Sequence, residues 1–498
     1  MPTCLWSRFS VLVEQFPEND AFFIDGKEHI TYSKLQYRVV RLARFLQEKG
    51  VATTSKVLLQ CESPVSMTSL ILACDLLGAK VMIGSLSHGV HGLDACLKTY
   101  KPNVVIHDSL KINRVLGERV VKQATGTTIE WLDTANYWGM LEPFSPLDFS
   151  DHIERSSSIQ FISNKSNDSE VFMFEAEIEQ LIANAGRVCE FYNINPLTRI
   201  FHTMDWNSRV GLFVLFHGFC LTGATAIIST DFSYRDKIKQ ITHADLYLDN
   251  ALHITELIED ELIQNLKIER IPETFICVCG RLALSYQMRF YREFKTKIFI
   301  SFGKSNFGFI ATTTLHDDKP SLLTFTKVLS EYEFKFNPID NPPVRDEWSP
   351  HSRTIGELIM VDKDTKKETA SGIIATVIGT TLHCYGSLQN LPELHQLRIS
   401  EIDLENYIML MPSIVNCIVI MVPHPHHGAV PIALVIFSSE LETFNSDLLR
   451  GVMYGKITCY KIPKKFIQLP SFRYDKWGEV DRLFYQSHYS DLYQHLVG

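Results

Sequence analysis

The sequence predicts an α/β protein: a large N-terminal part of layered α/β subdomains with a β-rich stretch, then a small α+β C-terminal domain. Three observations carry this. From Thr31 to Phe302 short apolar runs alternate with amphipathic helical periods, which calls for a mostly parallel sheet covered on both faces. Between Leu315 and Pro350 the chain becomes proline- and acid-containing with no strong helical period, which suits β-structure with long connections. From Ser400 onward helix, strand, turn, strand, helix and strand follow as a separate unit.

The elements can be justified in order. Thr31 caps a helix whose apolar face is Leu35, Val39, Leu42, Ala43 and Leu46, and Gly50 ends it. Val57–Cys61 is a buried strand, Pro64 opens a helix that Gly78 stops, and Val81–Ile83 is the next strand. Gly92–Tyr100 is helical, Lys101-Pro102 breaks it, and Val104–His107 is a strand. Ile159–Ile162 is a strand, followed by a polar loop and then a helix with Ile178, Leu181, Ile182, Ala185, Val188, Cys189 and Tyr192 on one face. Arg199–Met204, Ala244–Leu248, Phe275–Cys279 and Lys297–Phe302 are strands, Tyr286–Phe294 is a helix, and Gly303-Lys304-Ser305-Asn306 is a turn at a strand's C-terminal end. Such ends are where open α/β sheets hold ligands. In the last part Ser400 caps a helix with Asp403 three residues on, Ile414–Val422 and Val430–Phe437 are strands, Ser446–Lys456 is a helix, and Lys464–Gln468 is a strand.

Composition excludes several classes. The chain of 498 residues is long enough for two to four domains. A formal net charge of −9 argues against sequence-independent nucleic-acid binding, which needs clustered Lys and Arg. The 11 cysteines include no C-x-x-C pair, and the N-terminus lacks a signal-peptide pattern, so a reduced, cytoplasmic setting is expected. The apolar run Val210–Ile228 approaches membrane-span length, but it contains His217 and three glycines, with Arg209 its only adjacent basic residue. A buried helix and strand, not a membrane span, is the expectation. His424, His426 and His427 read as a surface turn between strands, so no metal site is assigned. Asp205, His202 and Ser208 have no G-x-S-x-G elbow to support a hydrolase triad.

The stretch Phe161–Phe172 is the most informative. Between a strand and a helix, backbone N–H groups can cradle an anion. Such loops usually use glycine for close approach and φ > 0. This one has none. Asn164 and Asn167 stand at turn positions, Ser163, Ser166 and Ser169 offer hydroxyls, and Lys165 is offset by Asp168 and Glu170.

Several stretches together resemble the adenylate-forming (AMP-binding) superfamily of acyl-CoA synthetases and aryl- or amino-acid adenylation enzymes. They are ITYSKLQYRVVRLARFLQEKGV, SLILACDLLGAKVMIG, RIFHTMDWNSRVGLFVLFHGFCLTGATAII, ISEIDLENYIMLMPSIVNCIVIMVPHPHHGAVPIALVIF and YKIPKKFIQLPSFRYDKWGEVDRLFY. The resemblance implies an N-terminal AMP-binding-type domain over 1–386, a hinge over 387–391 at Gln389 or Asn390, and a mobile C-terminal domain over 392–498. It implies formation of an acyl-adenylate from a carboxylic acid and ATP with Mg²⁺, then transfer to a thiol. His202, Trp206, Phe213 and Gly280 are the acyl-pocket candidates it suggests, although Trp206 and Phe213 also suit a core.

The motif residues depart from the family. Where members read T-S-G-[ST]-T-G-x-P-K, this chain has Ile162, Ser163, Asn164, Lys165, Ser166, Asn167, Asp168, Ser169 and Glu170. Y-G-x-T-E becomes Phe302, Gly303, Lys304, Ser305, Asn306. The ribose-gripping aspartate matches Ile373, and the arginine after glycine matches Ser387. The lysine of G-K-x-x-R matches Glu479, with Lys476 a nearby substitute. Two lysines have reversed sign, and removing one transition-state donor alone typically costs ~10²–10³ in rate. The expectation is a catalytically degenerate homologue that binds a small acyl or aryl ligand, an acyl carrier protein or a biosynthetic enzyme partner. The alternative is an active acid-activating ligase with an altered nucleotide site.

Overall fold

The computed structural model describes residues 4–497 apart from 62, 85–96, 109–127, 133–138, 140, 147–157, 165–170, 232, 234–236, 260–269, 281, 305–306, 315–323, 330–331, 340–354, 364–365, 389–392, 395–396, 412, 425–427, 439–443 and 475–478. It divides into two compact units, the first of Met1–Leu248, Ile268–Glu273 and Lys304–Gly308, the second of Asp249–Lys267, Thr274–Gly303 and Phe309–Gly498.

The first unit begins with helix α1 (Leu5–Gln15), the hairpin of β1 (Asp20–Ile24) and β2 (Glu28–Thr31), and helix α2 (Tyr32–Glu48). Thr31 caps α2 by accepting from Lys34 N at 3.3 Å, as the sequence predicts. Strand β3 (Lys56–Gln60), helix α3 (Pro64–Leu76), β4 (Lys80–Ile83), β5 (Val104–Asp108) and β6 (Thr128–Leu132) follow the βαβ pattern. Helix α3 is buried almost all round, because α1 and α2 also cover it. The buried Asp75 on α3 accepts from Trp6 N at 2.8 Å and ties α1 down.

Strands β7 (Ser158–Asn164) and β8 (Val171–Glu177) complete a six-stranded sheet in the order β6-β5-β3-β4-β7-β8, parallel except for the last pair. Helix α4 (Ile178–Tyr192) comes next, with Asn193 in the left-handed region at its C-terminus. Then β9 (Arg199–Phe201), a π-helix (Leu215–Thr222), β10 (Thr225–Ile228) and β11 (Leu246–Asn250) supply further strands beside β1. The apolar run at 210–228 is thus a buried helix and strand. Tyr32 donates to Ala224 O at 2.7 Å, and Phe22 and Phe219 meet edge-on at 4.9 Å. No helix among the described residues is long and apolar enough to cross a membrane.

In the second unit are helix α5 (Ala251–Glu259), the parallel pair β12 (Thr274–Cys279) and β13 (Ile298–Lys304), helix α6 (Leu284–Phe294) and β14 (Gly308–Thr314). Cys277 is buried in β12, as its apolar run predicts. The β-rich part holds β15 (Thr324–Phe325), β16 (Lys327–Val328), β17 (Glu333–Pro338), β18 (Gly356–Val361), β19 (Glu368–Ile378) and β20 (Thr381–Ser387). Five of these, all but β16, form an antiparallel sheet in the order β15-β20-β19-β18-β17.

A two-stranded hairpin, β21 (Glu393–Leu394) and β22 (Leu397–Arg398), precedes helix α7 (Glu401–Met409). Strands β23 (Ile414–His424) and β24 (Gly428–Phe437) pair antiparallel, helix α8 (Ser446–Met453) crosses back, β25 (Lys465–Gln468) pairs parallel with β24, and α9 (Arg482–Val497) closes the chain. Ile399, Ile418, Ile420, Ile432, Leu434 and Phe472 share one core there, so residues 399–489 bury their own apolar face.

Candidate functional site

Strands β7 and β8 flank the stretch that resembles a phosphate cradle. Ser163 pairs with Phe172 and Asn164 with Val171 along β7 and β8, while Lys165, Ser166, Asn167 and Glu170 lie outside the described residues. This corrects the expected order of strand, loop and helix: β8 intervenes. Its antiparallel return sets Glu177 opposite Ser158, so α4 starts level with the beginning of β7. A strand of seven residues spans roughly 20 Å. Since the helix dipole acts within its first turn, the start of α4 is too far from Asn164 and Val171 to serve an anion beside them. Periodicity missed β8 because Val171–Glu177 runs apolar and acidic residues directly into the helical pattern.

A second corner of the first unit follows β9. His202 and Trp206 are buried with ring centroids 4.9 Å apart. Asp205 accepts from Asn207 N at 2.8 Å and Asn207 Nδ2 at 2.9 Å, and Asn207 Nδ2 also donates to Cys61 O at 2.8 Å. Ser208 Oγ donates to Asp205 O at 2.7 Å and accepts from Gly211 N at 2.9 Å. That hydroxyl closes a turn. Gly211 is required here, because a Cβ would stand 1.8 Å from Asp205 O. Phe213 is fully buried and stacks on His217 at 3.7 Å. His217 Nδ1 donates to Phe213 O at 2.7 Å. Burial lowers the His217 pKa to about 3, against a smaller opposing effect of that hydrogen bond, and the Arg209 charge lowers it further.

The turn from Lys304 to Gly308 belongs to this unit as well. Gly303 and Lys304 are still in β13, so the strand runs further than the expected turn, and Phe307 N donates to Lys304 O at 3.0 Å. Ser305 and Asn306 lie outside the described residues. Gly308 adopts φ +78°, and a Cβ there would meet Asn184 Oδ1 at 2.6 Å and Arg209 Nη2 at 2.7 Å. Asn184 from α4 and Arg209 from the turn before the π-helix therefore converge on this glycine.

In the second unit Ile373 and Ser387 are direct cross-strand partners on β19 and β20. Ile373 is buried, and Ser387 is exposed. A β-bulge at Ser371–Ile373 is closed locally: Glu357 accepts from Gly372 N at 3.1 Å, and Ser371 Oγ from Ile373 N at 3.1 Å. Gly280, the remaining acyl-pocket candidate, follows β12 with φ +76°. Gln389, Asn390 and Lys476 are outside the described residues. Glu479 is exposed, one residue before the isolated bridge of Val480 with Tyr474. Ser400 caps α7 through Asp403 N at 3.1 Å and donates to Tyr385 O at 2.8 Å. Among the described residues no group of three or more His, Cys, Asp or Glu is placed to hold a metal ion.

Residues 9–152 match the family model described as AMP-binding enzyme. Along the whole chain the fold superposes on ATP-bound MatB from Rhodopseudomonas palustris, with a TM-score of 0.82 at 17% identity, covering 99% of this chain and 100% of that one. The chain carries the AMP-binding enzyme fold. The same AMP-binding fold is shared with the anthranilate CoA ligase AuaEII in complex with anthranoyl-AMP (TM-score 0.80, 13% identity, 99% of each chain). A benzoate CoA ligase from Burkholderia xenovorans LB400 shares it too (TM-score 0.77, 14% identity, 97% of this chain and 99% of that one). No curated protein matches the sequence. With the AMP-binding fold established, the large N-terminal and smaller C-terminal division expected from the sequence is that of the fold.

Proposed function

We propose that this chain is an adenylate-forming ligase homologue that no longer performs standard ATP-dependent adenylation and acts by binding. It holds a small acyl or aryl ligand, or docks an acyl carrier protein or a biosynthetic enzyme. The observation that carries this reading is the pairing of Ile373 with Ser387. By resemblance these positions hold an aspartate for the ribose and an arginine near the nucleotide. Here two adjacent strands present a buried isoleucine and a serine, so the pair offers neither a carboxylate nor a cation. The exposed Glu479 adds negative charge where the adenylation lysine is expected. These residues do not suit Mg²⁺–ATP.

ATP–pyrophosphate exchange across a panel of carboxylic acids with Mg²⁺ tests the proposal. Silence is expected. Ordinary exchange with any acid overturns the reading in favour of an active acid-activating ligase. A thermal-shift series with acyl-adenylate mimics reports ligand binding separately, because a ligand at 100 times its Kd adds about 2.7 kcal/mol of stability.

A further inference from the structure

We propose that the outer face of α8 docks an acidic amphipathic helix of a partner protein. This goes beyond the binding role proposed above and stands whether or not the chain adenylates. Apolar residues line both sides of α8. Leu449 and Met453 are buried on its inner side, while Leu448 is 60% exposed and Val452 43% on the other. Four residues apart, those two side chains are neighbours along the helix surface. Tyr454, 55% exposed, continues the stripe past the last turn. Arg450 Nη2 lies 3.5 Å from Tyr454 Oη and its Nη1 3.5 Å from Asp447 Oδ1, which holds the phenol against the helix end.

Charge decides what covers this stripe. The chain carries a net −9, yet between Ser446 and Gln468 the sole acid is Asp447, against Arg450, Lys456, Lys461, Lys464 and Lys465. Arg450 pairs with Asp447 and Lys461 is buried, so the strip's surplus charge rests on the exposed Lys456, Lys464 and Lys465. These flank the stripe at both ends. Phe466 N donates to Ser446 Oγ at 3.0 Å, so Lys465, with Lys464 before it, stands at the first turn of α8. Lys456 N donates to Met453 O at 3.1 Å, which places the third lysine just past the last turn, next to Tyr454. An apolar centre with a basic rim complements a helix that carries carboxylates beside its own apolar stripe. A second copy of this chain fits poorly, because a two-fold contact sets the same lysines against one another. An anionic bilayer fits poorly too: drawing Leu448 into the headgroup boundary takes Asp447 with it, and that side chain is 90% exposed.

The experiment is fluorescence anisotropy of the full chain with a stapled helical peptide that carries leucines along one side and glutamates beside them. A matched peptide with lysines for the glutamates is the control, and phosphatidylserine vesicles are a second probe. The glutamate peptide is expected to bind saturably, about tenfold or more tightly than the lysine peptide, and more weakly as salt rises. Lys464→Glu with Lys465→Glu, and separately Lys456→Glu, should each remove most of that preference. Leu448→Ser with Val452→Thr should weaken binding about tenfold at every salt concentration. All these positions are exposed, so melting temperatures should stay at the wild-type value. The proposal is overturned by no saturable binding, by equal affinity for the two peptides, or by affinity that none of the variants changes. Tighter binding to the vesicles than to the peptide assigns the face to a membrane surface instead, and a dimer that Leu448→Ser abolishes assigns it to a second copy. No arm uses nucleotide, so failure here leaves the reading of adenylation untouched, and pyrophosphate exchange leaves this one untouched.

Discussion

Arg482 Nη2 lies 2.6 Å from Glu405 Oε1, and the same carboxylate oxygen accepts from Val419 N at 2.7 Å. Arg482 Nη1 donates to Val419 O at 2.8 Å and lies 3.5 Å from Glu401. One ion pair thus ties α7, β23 and α9 together. The Glu405 side chain is only 1% exposed. Burial opposes the Arg482 charge, but Glu405 and then Glu401 more than offset it, and its pKa is raised. Arg482 works as a structural clamp.

Arg482→Gln strands a buried carboxylate. Removing one partner of such a pair typically costs about 3–5 kcal/mol. Urea unfolding of the variant should show a loss of that order, and Glu405→Gln in the same chain should recover part of it. A loss under about 1 kcal/mol would show that the clamp is not buried as described.

Glu479→Lys places a cation on an exposed residue, at the position where the resemblance implies a lysine. Stability should move by less than about 0.5 kcal/mol, the range for surface changes. Under the proposed reading pyrophosphate exchange should remain at background, because Ile373 and Ser387 still offer neither a carboxylate nor a cation. Exchange appearing in this single variant would show that one reversed charge alone silences the chain.

Gly211→Ala cannot be accommodated without moving the main chain at Asp205, whose oxygen stands 1.8 Å from the new Cβ. A loss beyond about 4 kcal/mol, or failure to fold, is expected. The readout is soluble yield with the melting temperature; a normal melting temperature would disprove the tight turn at Asp205–Gly211.

His217 makes stability depend on pH. The folded imidazole stays neutral down to about 3, while the unfolded one takes up a proton near its ordinary 6.5. Protons therefore favour the unfolded chain, and stability falls as the pH drops below about 6.5 toward 3. At 1.36 kcal/mol per unit, lowering the pH from 7.5 to 5.0 should cost about 2 kcal/mol through this group. Denaturant unfolding at the two pH values should show that difference shrinking by a similar amount in His217→Gln.

The sequence by itself determined the alternation of strands and helices, the caps at Thr31 and Ser400, and the buried run before Ile228. Those features are local. Periodicity and capping act over three or four residues, so the chain displays them directly. Tertiary structure decided what meets across long separations: Ile373 opposite Ser387 through strand register, Arg482 on Glu405, and Arg209 with Asn184 on Gly308. In sequence Arg209 was only a lone base before an apolar run. It also decided that β8 intervenes between β7 and α4. Register and packing depend on which distant surfaces bury one another, and that information is shared among segments rather than carried by any one of them.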